Sequence, residues 1–252
     1  MLKKRIIPTL LFNNNKLVKG IKFRSWRTVG SIMQAVRVYK IRKVDELILL
    51  DISATDSNRK IDLELINEVA KECFMPLTFG GGIKNLEDIS KILKAGADKV
   101  CINTAATKDL KFIENACKVF GSQAIVISVD YKTNKDNLIS IWSHSGKNKT
   151  SLIFENYLKD LESAGVGEIV LTSIDRDGTM KGYDIETLYT ANNLIKVPII
   201  ASGGAGNFDN ILELLNKTNI SALAAGSIYH FTKKTPLDVK KYLNENKIPV
   251  RI

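Results

Sequence analysis

The chain has 252 residues, of which 44% are hydrophobic and 25% are charged, so it is long and apolar enough to bury a sizeable core. No run of about 18 uncharged apolar residues occurs, and we therefore predict no membrane-spanning segment. The net charge of +10 is spread along helical stretches without the motifs of nucleic-acid-binding proteins, so we expect no nucleic-acid partner and a field that favours phosphorylated ligands.

Eight short apolar runs alternate with amphipathic stretches along the chain. Stretches such as SIMQAVRVYKIRK and IDLELINEVAKECF repeat apolar residues three and four positions apart, which is typical of helices. Ser31, Asn85, Asp109 and Asn207 are predicted N-caps. Eight strands that are each followed by a helix predict an α/β protein with a single (β/α)8 TIM-barrel domain over residues 1–252. The predicted strands are residues 5–11, 46–52, 76–80, 99–103, 124–130, 168–174, 198–202 and 222–226.

An internal repeat supports the barrel. Shifting the chain by 122 residues overlays ELILLDISATDSNRKIDLE on EIVLTSIDRDGTMKGYDIE and PLTFGGGIKNLEDI on PIIASGGAGNFDNI. The first strand aligns with the fifth at a shift of 119, which puts Leu11 opposite Asp130. A repeat of this size indicates two half-barrels, about residues 1–122 and 123–252, that are related by a quasi-twofold axis.

Two glycine-rich turns, FGGGIKN and ASGGAGN, each follow a strand and open a helix. Paired glycines there let backbone N–H groups approach a phosphate at a helix N-terminus, although tight turns need glycine in any case. Because two such turns lie at symmetric positions, we predict two half-sites for a ligand that is phosphorylated at both ends. The half-sites comprise Gly81 and Gly82 with Thr104 and Ala105, and Gly203 and Gly204 with Gly226 and Ser227.

The whole chain, from KRII to the closing PVRI, resembles the cyclase subunit of imidazole glycerol phosphate synthase. The most specific stretches are LLDISA, FGGGI, ADKVCINTAA, FGSQA, LTSIDRDGT, GYD and IIASGGAG. The resemblance implies an enzyme that takes ammonia from a glutaminase partner and passes it along the barrel core. It would join the ammonia to a bisphosphorylated ribulosyl-formimino substrate, giving imidazole glycerol phosphate and an aminoimidazole carboxamide ribotide.

By position, the resemblance makes Asp130 one of two catalytic aspartates and Lys19 a lysine of the mobile loop after the first strand. The other aspartate belongs at position 11, where this chain has a leucine, which cannot move a proton. Three asparagines follow, in place of the family's usual acidic, glycine-containing turn. The resemblance also implies that the pocket is lined by Asp51, Asn103, Thr172 and Asp177.

Four charged residues stand at the starts of the first, second, fourth and sixth predicted strands. The resemblance implies that they form a ring of ion pairs at an ammonia entrance, and that Asp98 and Gln123 lie on the face that meets the glutaminase. Charged residues at strand starts also stabilise barrels in general. Here all four residues are present, two positive and two negative, which favours the ammonia entrance. These residues are Arg5, Glu46, Lys99 and Glu168.

The chain keeps the predicted ammonia entrance and both phosphate half-sites but has only one of the two catalytic aspartates. This combination indicates a changed substrate. The leading hypothesis is an ammonia-channelling subunit of the family's divergent second-copy branch, which the resemblance links to amidation of N-acetyl sugars for surface glycans. The partners would be a glutaminase and a sugar amidotransferase. An ordinary cyclase with slower turnover and a non-catalytic activator of the glutaminase are the alternatives.

The cysteines and histidines offer little scope for metal or redox chemistry. Cys73, Cys101 and Cys117 lie in apolar elements without the spacing of metal ligands, and the chain has only two histidines. We therefore expect reduced thiols in a cytoplasmic protein, with no metal and no cofactor. His144 is interpreted as a loop residue, and His230 as a residue that packs the last turn.

Overall fold

The computed structural model describes residues 2–42, 44–136 and 138–252, so Lys43, the last residue of the first predicted helical stretch, lies outside the described residues. The predicted (β/α)8 TIM barrel is confirmed, because eight parallel strands close into a barrel and alternate with helices. The strands are β1 (Arg5–Asn13), β2 (Lys16–Ile21), β3 (Arg24–Gly30), β4 (Leu47–Asp51), β5 (Leu77–Gly80), β6 (Lys99–Ile102), β7 (Ile125–Thr133), β8 (Ile139–Ser143), β9 (Asn148–Lys149), β10 (Glu168–Ser173), β11 (Ile199–Ser202) and β12 (Ala222–Ala225).

The helices begin where the sequence predicts their caps. The side chains of Asn85, Asp109 and Asn207 each accept a hydrogen bond from the backbone N–H three residues on, whereas Ser31 makes no such bond. No helix in the described parts of the chain is long and apolar enough to cross a bilayer. The helices are α1 (Ile32–Ile41), α2 (Leu63–Glu72), α3 (Leu86–Lys94), α4 (Thr104–Lys108), α5 (Leu110–Phe120), α6 (Phe154–Ser163), α7 (Ile185–Leu194), α8 (Phe208–Lys217), α9 (Ser227–Phe231) and α10 (Pro236–Glu245).

The barrel strands run in the order β1, β4, β5, β6, β7, β10, β11 and β12, and β12 pairs with β1 to close the sheet. Both halves of the barrel keep the same register. Leu11 on β1 faces Leu50 on β4, while Asp130 on β7 faces Thr172 on β10. The register agrees with the internal repeat, so positions 11 and 130 occupy equivalent places at the ends of their strands.

Apolar side chains fill the inside of the barrel. Because alternate residues of a strand point to the same face, Ile7 of β1 lies in this interior and Leu11 lies further along the same face. A separate, larger core packs the helices against the outside of the strands. The interior cluster consists of Ile7, Ile48, Cys101, Val126, Val170, Ile200, Ala222 and Ala224.

The segment from Asn13 to Gly30, predicted as a long loop, is instead an antiparallel hairpin of β2 and β3 that continues from β1. Asn14 and Asn15 form the turn between β1 and β2 with φ of 46° and 59°, a left-handed conformation that asparagine tolerates. The loop prediction is therefore wrong, because the asparagines that replace the expected acidic turn support a tight hairpin. Lys19 lies on a strand of this hairpin.

A buried ion pair ties the last helix to the start of the barrel. Lys240 Nζ of α10 lies 2.7 Å from Asp45 Oδ1, and both side chains are only 3% exposed. The other carboxylate oxygen of Asp45 accepts the backbone N–H of Ile6 at 2.8 Å. Removing one partner would leave a charge in a place that water cannot reach.

We expect Lys240→Met to lower the free energy of unfolding by about 3–5 kcal/mol, because it leaves the Asp45 carboxylate buried without its cation. Urea unfolding followed by circular dichroism measures this change. Lys91→Met is the matched control, since it removes the cation of the solvent-exposed pair with Glu87 and should leave the midpoint unchanged. Equal midpoints for the two variants would contradict the prediction.

Candidate active site

A cavity of about 520 Å³ lies at the C-terminal ends of the barrel strands. The hairpin of β2 and β3 contributes Lys19, Phe23 and Trp26 to its wall, so the hairpin lies across the mouth. The structure brings together here every residue that the sequence assigns to catalysis or to ligand binding. These residues are Lys19, Asp51, Gly81, Gly82, Asn103, Thr104, Asp130, Thr172, Asp177, Gly203, Gly204, Gly226 and Ser227.

Asp130 lies on the inner wall of this cavity and is 7% exposed. The hydroxyl of Ser128, two residues earlier on β7, donates to Asp130 Oδ1 at 3.1 Å, and Asn103 Nδ2 donates to Oδ2 at 3.3 Å. Burial raises the pKa of Asp130 to about 7; the Ser128 hydrogen bond opposes this increase and Asp177 adds to it. At neutral pH the carboxyl group can therefore either give or take a proton.

We expect the stability of the protein, relative to Asp130→Asn, to fall as pH rises from about 4 to about 7. An unfolded aspartate has a pKa of about 3.9, whereas that of folded Asp130 is raised to about 7, so the folded state binds more protons between these values. The stabilising contribution is complete below about pH 4 and is lost as pH rises through the folded pKa. Urea unfolding midpoints of the wild-type chain and of Asp130→Asn at about pH 5 and about pH 8 measure this contribution. The same difference between the two midpoints at both pH values would contradict the prediction.

Lys19 on β2 reaches across the mouth to the loop between β10 and α7. Its side chain is 4% exposed, and its Nζ lies 2.8 Å from both carboxylate oxygens of Asp177. The backbone N–H of Lys22 donates to the carbonyl oxygen of Asp177 at 2.8 Å. A Cβ on Gly178 would collide with the carbonyl oxygen of Gly20, so glycine allows this close approach. These contacts hold the hairpin against the cavity.

The two glycine turns adopt backbone angles that favour glycine. Gly81 and Gly82 have φ of 110° and 74°, and Gly203 and Gly204 have φ of 92° and 108°, values that residues with side chains rarely adopt. A Cβ on Gly81 would also collide with the carbonyl oxygen of Asp51. Packing therefore requires glycine at this turn, whether or not a ligand approaches it.

Two side chains of α9 carry buried polar atoms that have no hydrogen-bond partner among the described residues, Ser227 Oγ and His230 Nε2. Burial, assisted by Lys19, lowers the pKa of His230 to about 4, so this imidazole is neutral at physiological pH. The ring of His230 packs near that of its chain neighbour Phe231. Ser227 also lines the cavity.

The loop between β4 and α2 anchors Asp51. Its Oδ1 accepts the backbone N–H groups of Ser53 and Ala54 and the hydroxyl of Ser53. Its Oδ2 accepts a hydrogen bond from Arg59 Nη2 at 2.7 Å. Arg59 could not be found from the sequence, because it lies eight positions after the carboxylate that it contacts, across an irregular loop.

The two halves of the cavity differ in polarity. Asp130 and Thr172 face each other on β7 and β10, whereas Leu11 and Leu50 hold the equivalent positions on β1 and β4. Thr9, two residues before Leu11, also lines the cavity, and its Oγ1 is buried without a hydrogen-bond partner in the part of the chain that the structure describes. The cavity therefore has a carboxylate at one of two equivalent strand ends and an apolar side chain at the other.

Four charged residues at the N-terminal end of the barrel form the ion-pair ring, defined as Arg5, Glu46, Lys99 and Glu168. Arg5 lies 2.6 Å from Glu46 and 2.5 Å from Glu168. Lys99 lies 3.0 Å from Glu46 and 2.7 Å from Glu168, so each cation touches both anions. Burial alone would raise the pKa of Glu168, but Arg5 and Lys99 outweigh it and hold that pKa below its usual range.

The remaining residues singled out in the sequence have structural contacts. The backbone N–H of His144 donates to Thr104 Oγ1 at 3.1 Å, so this loop residue helps to fix the cavity wall. Cys73, Cys101 and Cys117 are free. Within the described residues, no group of three or more His, Cys, Asp or Glu side chains could hold a metal ion.

The chain is similar to known proteins over its full length. A family model described as histidine biosynthesis protein matches residues 5–235. The chain is 46% identical over 252 residues to a Campylobacter jejuni protein provisionally named imidazole glycerol phosphate synthase subunit hisF2. It is 44% identical over 252 residues to the imidazole glycerol phosphate synthase subunit HisF of Dictyoglomus thermophilum, and 39% identical over 251 residues to that of Streptococcus mutans. Each alignment covers 100% of both chains.

Proposed function

Because the chain belongs to the histidine biosynthesis protein family, among its HisF-type cyclase subunits of imidazole glycerol phosphate synthase, we propose that its cavity joins ammonia to a phosphorylated acceptor. Asp130 is the proton-transfer group in this proposal. As the nitrogen of ammonia bonds to the acceptor's carbonyl carbon, it gives up two protons, and the carbonyl oxygen takes up both and leaves as water when its bond to carbon breaks. A carboxyl group whose pKa is raised to about 7 by burial serves both transfers near neutral pH.

An acceptor phosphorylated at both ends fits the two glycine turns. The N-termini of α3 and α8 follow these turns, and helix N-termini favour anions. Ser227, whose buried hydroxyl has no hydrogen-bond partner among the described residues, also lines the cavity. Lys84 and Lys108 line the cavity near the first turn and add positive charge there. A net charge of +10 attracts such a ligand from a distance.

We further propose that ammonia comes from a glutaminase and enters through the ion-pair ring. The interior cluster of apolar side chains, which includes Ile7 and Val126, lies between the ring and Asp130. Small neutral molecules such as ammonia cross apolar surroundings more readily than ions do. The glutaminase would dock on the N-terminal face, where Gln123 is exposed and Asp98 accepts the backbone N–H of Leu77 at 2.8 Å.

The acceptor is proposed to differ from the ribulosyl-formimino substrate, and the single observation behind this is Leu11 in the place equivalent to Asp130. An acid–base pair on opposite strands is incomplete without the second carboxylate. The similarity to a protein named as a second HisF subunit in Campylobacter jejuni agrees with such a divergence. We propose an N-acetyl sugar that is amidated for surface glycans, with a sugar amidotransferase as a further partner. A cytoplasmic location belongs to the same proposal.

Deleting the gene from the source organism tests this assignment. We expect growth without histidine to continue, while mass spectrometry of surface glycans shows acetamidino groups replaced by acetamido groups. A plasmid copy of the wild-type gene should restore the amidine, and a copy encoding Asp130→Asn should not. A histidine requirement with unchanged glycans would contradict the proposal.

Ordinary cyclase function is the second candidate, because the other predicted pocket residues are in place and relatives in Dictyoglomus thermophilum and Streptococcus mutans are named as HisF subunits. It predicts the histidine requirement just described. A non-catalytic activator of the glutaminase is the third candidate. It predicts that Asp130→Asn restores the glycans as well as the wild-type gene does.

A further inference from the structure

The strands that end at positions 11 and 130 are equivalent in structure as well as in sequence. Leu11 pairs with Leu50 on the next barrel strand, and Asp130 pairs with Thr172 in the same way. Each of the two barrel strands also continues into an antiparallel partner, β2 for β1 and β8 for β7. Contacts on one strand therefore indicate which contacts the other strand can form.

On β7, Ser128 supports the carboxylate. Residues two apart in a strand point to the same face, and the Ser128 hydroxyl donates to Asp130 Oδ1 at 3.1 Å. Thr9 holds the equivalent place on β1, two residues before Leu11. Its Oγ1 is buried and has no hydrogen-bond partner within residues 2–42, 44–136 and 138–252, and leucine offers it no acceptor. A buried hydroxyl is normally paired, so this one marks a missing partner.

We infer that Thr9 is a positioning residue for a hydrogen-bond acceptor at position 11, which this chain does not supply. The β1 side of the cavity thus holds a hydroxyl placed as Ser128 is on β7, beside a leucine that cannot accept from it. A carboxyl group introduced at position 11 would accept from Thr9 as Asp130 accepts from Ser128. This inference rests on geometry alone and does not depend on the proposed function.

A double-mutant cycle between positions 9 and 11 tests it. In the wild-type chain, Thr9→Val removes a hydroxyl that has no partner, so the urea unfolding midpoint should stay the same or rise. In a Leu11→Asp background, Thr9→Val should lower the midpoint. It should also raise the pKa of the introduced carboxyl group by roughly one to two units, measured by carbon NMR titration. Thr9→Ser keeps the hydroxyl and should leave that pKa unchanged.

The pKa of the introduced carboxyl group distinguishes positioning by Thr9 from general packing. If Thr9 served packing alone, replacing it would not change this pKa. An identical carboxyl pKa in the Leu11→Asp chains with threonine and with valine at position 9 would overturn the inference. A drop in midpoint for Thr9→Val in the wild-type chain as large as in Leu11→Asp would also overturn it. If Leu11→Asp does not fold, Leu11→Asn provides a neutral hydrogen-bond acceptor at position 11. The inference then requires that Thr9→Val lower the urea midpoint in the Leu11→Asn chain and not in the wild-type chain.

Discussion

Leu11→Asp is expected to raise the rate of imidazole glycerol phosphate formation from free ammonium by ~10²–10⁴-fold, the usual contribution of a general acid or base. The substitution places a carboxyl group at the strand end equivalent to that of Asp130. The cavity already holds the other predicted pocket residues, and Thr9 lies where it can support the new group. The purified chain, saturating ammonium salt and the bisphosphorylated ribulosyl-formimino substrate are sufficient for this assay, because free ammonia replaces the glutaminase.

Leu11→Asn is the matched control for this gain. It has the size and polarity of the aspartate variant but cannot transfer a proton, so it should leave the rate at the wild-type level. Equal rates for the wild-type, aspartate and asparagine chains would show that the missing carboxylate does not limit this reaction. That result would remove the physical basis for a change of substrate at this site.

Asp130→Asn is expected to have the opposite effect and to lower product formation by ~10²–10⁴-fold. The amide keeps an oxygen that can accept from Ser128, so the local hydrogen bond at 3.1 Å need not be lost. The substitution removes the carboxyl proton, whose pKa burial raises to about 7, and also the oxygen that accepts from Asn103 at 3.3 Å. The cleanest background is Leu11→Asp, in which ribulosyl-formimino turnover can be followed directly.

Asp136→Asn controls for the general loss of a carboxylate, since Asp136 is exposed and lies outside the cavity. It should leave turnover unchanged. Substrate binding by Asp130→Asn, measured by calorimetry, should persist because the phosphate half-sites are untouched. Undiminished turnover by Asp130→Asn would contradict the assignment of proton transfer to Asp130.

The barrel could be predicted because its signals are local or repeated. Apolar runs, the N-caps at Asn85 and Asn207 and the shift of 122 residues all reflect patterns that are readable along the chain. The hairpin was missed because its signal is a pair of asparagines, Asn14 and Asn15, whose left-handed backbone forms the turn. Loops and tight turns contain the same kinds of residue, so the residue types alone do not distinguish them. The pairing of β2 with β1 does.

The supporting contacts of the site could not be predicted in the same way. The hydroxyl of Ser128 reaches Asp130 only because both side chains point to one face of β7, and Arg59 reaches Asp51 through an irregular loop. The buried pair of Asp45 and Lys240 joins residues far apart in sequence. Such contacts depend on the folded geometry, so the sequence identifies the acid but not what holds it.

The most direct test of the whole account combines binding and turnover of the bisphosphorylated ribulosyl-formimino substrate by the wild-type chain with saturating ammonium salt. We predict binding that weakens when either phosphate is removed, with formation of imidazole glycerol phosphate at least ~10²-fold slower than by the Dictyoglomus thermophilum relative. Turnover as fast as that of the relative would contradict the account, because Leu11 would then be no obstacle. Absence of binding would contradict it as well, because the two phosphate half-sites would not exist.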